Sequence, residues 1–598
     1  MRIWRSWLAF ALLLVLAGQY PTRAAEKSLV IPEGLRGFVS VSSPNQFLTE
    51  VDKAIVEAIK GQQIRYAPGF LPMMAKMFNP LPDGSWNPDR PAFALIREND
   101  PKFKYPSFIL GMDDFDDTVK KLRRMKSAFR DGEDGRVWIK RQNDDKSMLL
   151  TDIGEGRVLA TMNEQAADEL VAVLENWRPE HVDDGCISVY LNASVVMEDA
   201  AAQFDKVAND IAALDEDEFL QKLQSDPDLH DEARTALLGG VRLIKEYYPR
   251  LEAEMRNVRV FGISLKFSED RVNMLYSFFP EEGSFMSEVN NHLAKRGVQD
   301  LSLAESAGKD AAFVLTHCPP RDYFPEAAEM GRGMLQRIMA EIMPGSADTA
   351  LDLYDRAAAA GVNESVLAGY LLGGIDLQLA AFIGSDKPRE LLDVAIESAL
   401  NCGDALGRII RRKGLTAAVS AIPGSEDGVE YVRFGIQSKR TGDGGESATA
   451  GKPTWAQDFD RASDLLVSAS DRCLVLTGEP DGVDWLLEMA DKMSGQDDAG
   501  LLNGEEVDKA LSSLTYNQAY LLFIDVGKCA VGIIDYARDK GELSREAAAE
   551  QRKLFAKSNE FVVVGGGADA DRIVTEFSVP LKTINRIVAS TKTHEAYK

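Results

Sequence analysis

The feature that most constrains this fold is an ordered recurrence of strand-to-helix segments in the two halves of the 598-residue chain. Each of four apolar strand segments leads into a helical run, and the same order appears twice. The four pairs are Phe38–Val41 with Phe313–Thr316, Ser107–Gly111 with Ala381–Gly384, Val158–Thr161 with Cys473–Thr477, and Ile187–Asn192 with Ala519–Asp525. Such recurrence predicts an internal repeat, in this case two diverged copies of one module.

Each half then ends in two alternating strands joined by a turn, predicted at 258–279 in the first half and 561–579 in the second. Further hairpins are predicted at Val137–Asp152 and at 415–437, the second turning at Pro423-Gly424-Ser425. Hairpins require antiparallel pairing. The fold class is therefore predicted as α+β, each module being a mainly antiparallel sheet with helices packed on one face. The domains are predicted as a signal peptide at 1–25, copy 1 at 26–300 and copy 2 at 301–598.

The first 25 residues are typical of a cleavable secretory signal. Arg2 and Arg5 precede the apolar run Trp7–Ala17, and small residues follow at Ala24 and Ala25. A run this short falls below the roughly 20 apolar residues that span a bilayer. A retained anchor is the alternative. We therefore expect an exported protein, periplasmic or secreted after cleavage.

No later segment is predicted to cross a membrane stably. The best candidate, Val366–Ser385, carries Asp376 near its centre and is predicted as a helix end followed by a buried strand. The formal net charge of −26 describes an acidic protein that repels phosphate backbones and anionic membrane surfaces. Nucleic acid is therefore excluded as a partner, and a solvated acidic surface explains the charge without one.

Five cysteines in a chain of this length do not form a disulfide framework. Buried free thiols are predicted, with a single bridge as the alternative. His317-Cys318 is the pair that most resembles an activated nucleophile. Adjacent strand residues point to opposite faces, however, so the two side chains are badly placed to share a proton.

A dense acidic cluster, Asp113, Asp114, Asp116 and Asp117, is the weak candidate for a metal site, since Ca²⁺ binds several carboxylate oxygens. The alternative is an acidic first helical turn, in which carboxylates cap free N–H groups. The spacing is not that of an EF-hand loop. We therefore predict no bound metal and the capping role.

Asn192 and Asp525 occupy matching places, each after an apolar strand and before a helix. They are candidates for lining a shared cleft at the strand ends, and helix capping explains them equally well. Gly565-Gly566-Gly567 leads into another strand rather than a helix, which indicates a hairpin or bulge and not a phosphate loop.

No familiar catalytic or nucleotide-binding motif is present, and the histidines lack metal-ligand spacing, so we predict no cofactor. The chain is expected to be a non-catalytic binding or interaction protein of the cell envelope, with a protein or small-molecule partner. A hydrolase with a carboxylate- or Cys-based site and a structural envelope protein remain as alternatives, and whether catalysis occurs stays open.

The layout resembles a broad group of bacterial exported proteins of unknown function with duplicated α/β modules. The resemblance lies in Ala312-Phe-Val-Leu with Pro319 and Pro320, and in the strand Ile573–Val579 followed by the amphipathic helix Leu581–Val588. It implies the duplicated architecture, and it implies no activity and no catalytic residues.

Overall fold

The computed structural model describes residues 29–596 apart from a set of internal segments and a few isolated residues. The segments outside the described part are 60–65, 72–85, 99–106, 125–128, 141–146, 180–185, 196–205, 226–230, 288–300, 306–310, 318–323, 343–345, 372–376, 411–414, 441–464, 479–481, 495–504, 515–517 and 569–571. The predicted signal peptide, residues 1–25, also lies outside the described residues.

The first half contains ten described strands and five helices. The strands are β1 (Leu35–Val41), β2 (Ala92–Arg97), β3 (Ser107–Gly111), β4 (Phe129–Asp131), β5 (Val137–Lys140), β6 (Ser147–Asp152), β7 (Arg157–Thr161), β8 (Cys186–Asn192), β9 (Val258–Phe267) and β10 (Arg271–Pro280). The helices are α1 (Pro44–Ala58), α2 (Phe115–Arg124), α3 (Glu164–Leu174), α4 (Glu216–Ser225) and α5 (Asp231–Arg256).

The second half also contains ten described strands, with nine helices. The strands are β11 (Ala311–His317), β12 (Val362–Leu371), β13 (Leu377–Ser385), β14 (Leu415–Glu426), β15 (Val429–Arg440), β16 (Leu465–Ala469), β17 (Cys473–Gly478), β18 (Gln518–Asp525), β19 (Phe561–Ala568) and β20 (Ile573–Pro580). The helices are α6 (Ser302–Glu305), α7 (Phe324–Ile342), α8 (Ala347–Ala359), α9 (Pro388–Ile410), α10 (Gly482–Ser494), α11 (Glu505–Ser513), α12 (Val526–Asp539), α13 (Arg545–Phe555) and α14 (Leu581–Ala596).

All twenty strands belong to one sheet in which the described neighbours pair antiparallel. In the first half their order is β4-β5-β6-β7-β3-β2-β1-β8-β9-β10. In the second half it is β14-β15-β16-β17-β13-β12-β11-β18-β19-β20, which is the same sequence of strands in the same order along the chain. The last strands, β10 and β20, pair with each other and join the halves at a seam.

The strand registers also correspond between the halves. Apart from the bulge near Gln518 in β18, one constant shift in residue number for each strand converts the pairing of the first half into that of the second. Residues related by these shifts are called equivalent positions. The buried residues Ser40 and Thr316 are equivalent, as are Tyr190 and Phe523. The predicted match of Phe38 with Phe313 is wrong by one residue, because Phe38 is buried at the position of Val314 whereas Phe313 points to the other face.

The pairing of β10 with β20 at the seam is self-complementary in register. Leu275 of β10 lies opposite Glu576 of β20, and these two residues occupy equivalent positions. Arg271 and Arg572 are also equivalent, and both are buried. A two-fold axis between identical strands produces this kind of self-complementary contact.

Helices pack on both faces of the sheet, so the prediction of helices on one face is wrong. Leu159 of β7 packs with Leu170 and Leu174 of α3, while its neighbours Val158 and Ala160 pack with Val119 and Leu122 of α2. Since successive strand residues point to opposite faces, these two helices lie on opposite sides. In the second half, α10 and α11 cover one face, and α9 covers the other.

Two local predictions are corrected. The hairpin β14–β15 turns at Asp427-Gly428, where both residues have positive φ, and Pro423-Gly424-Ser425 lies inside β14. A turn of two left-handed residues favours Asp-Gly, and an edge strand such as β14 tolerates proline. The stretch Val366–Ser385 contains two paired strands, β12 and β13, rather than a helix end and a strand. Within the described residues, no helix is both long enough and apolar enough to cross a membrane.

Candidate functional site

The buried side of the seam carries a polar network. The Arg271 side chain, 2% exposed, donates from Nε to Ser578 Oγ at 2.7 Å and from Nη2 to the carbonyls of Phe561 at 2.7 Å and Ser578 at 3.0 Å. These bonds satisfy a guanidinium that could not otherwise be buried without a large cost. They also connect a residue of β10 to the backbone of β19 and β20, so that this arginine ties the halves together.

Asn273 continues the network towards the middle of the seam. Its Nδ2 donates to Glu576 Oε1 at 3.0 Å and to the Ser513 carbonyl at 2.6 Å, and its Oδ1 accepts from Ser578 Oγ at 2.8 Å. Glu576 is fully buried, and Ser513 belongs to α11, which covers this side of the sheet. We call Arg271, Asn273, Glu576 and Ser578 the Arg271 arm of the seam.

The opposite side of the same strands is apolar and partly exposed, and we call it the open face. None of its side chains belongs to the buried clusters of the described residues. It runs without interruption over β8, β9, β10, β20, β19 and β18, and so crosses the seam. Its residues are Ile187, Val189, Leu191, Phe261, Ile263, Leu265, Phe267, Val272, Met274, Tyr276, Phe278, Ile573, Thr575, Phe577, Val579, Val562, Val564, Tyr520, Leu522 and Ile524.

The open face reverses the usual pattern of an antiparallel sheet, whose solvated side is normally polar. Thr575 is the one residue of the open face that is neither aliphatic, aromatic nor a methionine, and the face carries no charge. Ile263 lies in the middle of a central strand and is nevertheless 45% exposed. An extended apolar surface that remains accessible is typical of a binding site.

Aromatic rings shape the open face. Phe261 and Phe278 meet edge to face with centroids 5.3 Å apart, and Tyr276 meets Phe577 across the seam at 5.7 Å. Tyr520 lies directly over Gly566, where a Cβ would fall 1.9 Å from the ring. Glycine therefore permits the ring to lie against the sheet.

Two helices bound one end of the open face. Phe47 of α1 contacts Phe267 of β9 with centroids 5.9 Å apart, and α1 packs against α14. Helix α1 follows β1 and helix α14 follows β20, and both strands finish at this end of the open face. The two helices therefore enclose the end of the open face that contains Phe267, Val272 and Val579. Ile263, further along β9, remains exposed.

The predicted cleft-lining residues do not meet. Asn192 and Asp525 end β8 and β18, which are five strand spacings apart, or about 24 Å. The two strands also run in opposite directions, so the residues lie at opposite ends of the sheet and share no cleft. Each acts locally, since Asn192 Oδ1 accepts from Ser194 N at 3.1 Å, and Asp525 caps α12 by accepting from Lys528 N at 3.0 Å.

The aspartate cluster takes the capping arrangement. Asp114 Oδ1 accepts from Asp117 N at 2.8 Å, and Asp117 forms an ion pair with Lys121 at 2.7 Å that lowers the pKa of its carboxyl group. Asp113 accepts from Asn87, and Asp116 is exposed in the first turn of α2. Among the described side chains, no group of three or more His, Cys, Asp or Glu is arranged to hold a metal ion.

The described cysteines lack the environment of a nucleophile. Cys473 and Cys529 are free, as predicted for those two thiols. Burial raises the pKa of both, and the Asp525 carboxylate raises that of Cys529 further, which favours the unreactive protonated form. His317 is exposed at the end of β11, and Cys318 lies outside the described residues.

The glycine triplet 565–567 lies within β19, paired on both sides, with a bulge in β18 opposite it. It is therefore part of a sheet and does not form a phosphate loop. The open face was not among the predicted sites, although the sequence carries a signal for it. Over most of β10 and β20, the alternation places arginine, asparagine, serine and glutamate on one side and tyrosine and phenylalanine on the other.

No protein-family model matches this chain, and no curated protein matches it. Two crystal forms of TP0453 resemble it weakly. Form IV is 8% identical over 44% of this chain and 79% of that chain, with a TM-score of 0.20. Form III is 10% identical over 46% and 91%, also with a TM-score of 0.20. At this score the likeness carries no argument about function.

Proposed function

We propose that this protein is a non-catalytic binding protein of the cell envelope whose binding surface is the open face. The observation that carries the proposal is the uncharged, partly exposed surface that continues over six strands and across the seam. A sheet face that met only water would be expected to be polar. Apolar side chains kept accessible in the middle of a sheet favour a ligand that covers them.

The seam is suited to support such a surface. The Arg271 arm lies directly beneath the open face, on the other side of the same strands, and joins both halves through buried hydrogen bonds. A satisfied buried network restricts a contact to one geometry. The two halves then present one continuous surface to a ligand instead of two surfaces that move separately.

The module organisation is part of the same proposal. Two copies, at 26–300 and 301–598, explain why the strand order recurs, why the registers correspond and why Arg271 and Arg572 share equivalent positions.

Export through the signal at residues 1–25 would deliver the folded protein to the periplasm or the medium. Edman sequencing of the mature protein from its native host tests this, and a chain that retains residue 1 would contradict it.

A matched pair of substitutions tests the open face. Ile263→Arg places a charge in its centre, whereas Ile422→Arg makes the same change at an exposed isoleucine of the edge strand β14. The probe is Nile red, a neutral apolar dye whose fluorescence rises when it leaves water. We expect Ile263→Arg to weaken dye binding by about tenfold, because burying an unpaired charge against the dye is costly, and Ile422→Arg to leave it unchanged.

Circular dichroism and a thermal melt on both variants confirm that each remains folded. If the unmodified protein does not bind the dye, or if both variants bind it as well as the unmodified protein does, the open face is not a binding surface. Equal weakening by the two substitutions would also contradict the proposal, since only one of them lies on that face.

A further inference from the structure

We infer that the ligand of the open face is a long-chain fatty acid whose carboxylate binds Arg259. This rests on the proposed function and adds the chemical class of the ligand. Arg259 lies in β9 on the same side as Phe261, one same-face position closer to the start of the strand. It stands at the boundary of a surface whose own side chains carry no charge.

Arg259 is partly buried and makes no ion pair with the described residues. Its Nε atom is buried and has no hydrogen-bond partner. A guanidinium stays charged at every physiological pH, and a buried N–H without an acceptor is costly. An incoming carboxylate would supply the missing acceptor and could bind the guanidinium fork through two oxygens.

At the equivalent position in the second half, the charged residue has its partners within the chain. There the residue is Glu560, which accepts from Ser558 Oγ at 2.6 Å and pairs with Arg586 of α14. The charge of Glu560 is therefore neutralised by another residue of the second half. The first half leaves Arg259 with a charge that nothing described neutralises, so the two ends of the surface differ in the ligand group they accept.

The dimensions favour one extended chain. From Arg259, the residues Phe261, Ile263, Leu265 and Phe267 follow on the same side of β9 and span roughly 20 Å. A ligand with one anionic group and a long aliphatic body would place its head at Arg259 and its tail over this row. One unpaired cation suits a monovalent carboxylate better than a doubly charged phosphate, which needs more donors. The net charge of −26 also disfavours polyanionic ligands.

The test compares two probes that share a tail and differ in the head group, oleate and oleyl alcohol. Both are titrated against bound Nile red on the unmodified protein, on Arg259→Gln, and on Arg130→Gln, which removes an exposed arginine from the distant strand β4. We expect the unmodified protein and Arg130→Gln to prefer oleate by about tenfold, the value of a charge-assisted hydrogen bond. In Arg259→Gln the preference should disappear, with binding of the alcohol unchanged.

Arg259→Lys should retain part of the preference, since it keeps the charge and loses the fork. A preference for oleate that survives in Arg259→Gln would overturn the assignment of the head group while leaving the apolar surface intact. Equal binding of oleate and the alcohol by the unmodified protein would overturn it as well. If neither probe displaces the dye, the proposed function fails together with this inference.

Discussion

The two arms of the seam begin from equivalent positions and reach different solutions. On one arm, Arg271 and Asn273 meet Ser578 and Glu576 in a connected set of hydrogen bonds. On the other, the equivalent residues are Arg572, Val574, Ser277 and Leu275. Arginine and serine are kept on both arms, while asparagine and glutamate on one arm correspond to valine and leucine on the other.

The second arm carries fewer polar side chains. The Arg572 guanidinium lies over the Phe279 ring at 5.8 Å from its centroid, and Ser277 Oγ is buried without a hydrogen-bond partner. The comparison shows that the backbone pairing of β10 with β20 requires neither an asparagine nor a glutamate at these positions. Burying a polar network costs desolvation free energy, and its satisfied hydrogen bonds restrict the contact to one geometry. We therefore interpret the Arg271 arm as the part of the seam that fixes the relative position of the two halves.

The largest effect is expected from Arg271→Met, which keeps much of the aliphatic stem and removes the guanidinium. Two carbonyls and a serine hydroxyl lose their donors, at about 1 kcal/mol each, so the free energy of unfolding should fall by about 3 kcal/mol. Urea denaturation measures it. The control Arg130→Met, on an exposed strand, should change stability by less than about 0.5 kcal/mol.

An equal loss in the two arginine variants would mean that Arg271 contributes no more than a surface residue. The hydrogen bonds of Arg271 would then contribute no more to stability than an exposed side chain does, and the comparison of the arms would say nothing about energy.

A smaller effect is expected from Asn273→Val, which introduces the residue that the other arm carries. The substitution leaves a Glu576 oxygen and the Ser513 carbonyl without this donor, and should cost about 2 kcal/mol. Adding Glu576→Leu converts this pair to the valine and leucine of the second arm. Because the buried carboxylate is then removed, the double variant should be more stable than Asn273→Val alone.

A double-mutant cycle from urea denaturation isolates that coupling. If the two substitutions are additive, Asn273 and Glu576 do not depend on each other. The difference between the two arms would then be one of composition alone.

The sequence predicts the strands and turns of both terminal hairpins, but it does not show which face of those strands is buried. Both terminal hairpins were predicted from alternation, and β9–β10 and β19–β20 confirm them. Alternation shows which residues share a face, but it does not show which face is buried. The polar residues of β10 and β20 face inward and bond to one another across the pairing of those strands, a contact between residues about 300 positions apart that no local pattern encodes.

The candidate sites show the same limit. Asn192 and Asp525 were correctly assigned to strand ends before helices, yet the sequence could not reveal that β8 and β18 run in opposite directions. Val158, Leu159 and Ala160 form a continuous apolar run, which indicated a strand buried on both sides and hence helices on both faces. The hairpins favour the opposite prediction, because antiparallel sheets commonly have one solvated face.

The smallest effect concerns the open face beside the seam, where Tyr520 of β18 lies over Gly566 of β19. Gly566→Ala would place a Cβ 1.9 Å from the ring and force the tyrosine away, which should cost about 1 kcal/mol. Gly240→Ala is the matched change in α5, where nothing lies within 4 Å of the new Cβ, and it should stabilise the helix by about 0.5 kcal/mol or more. The two alanines should therefore shift the thermal midpoint in opposite directions. In a Tyr520→Ala background the cost at Gly566 should vanish, and a cost that persists there would show that the ring is not its cause.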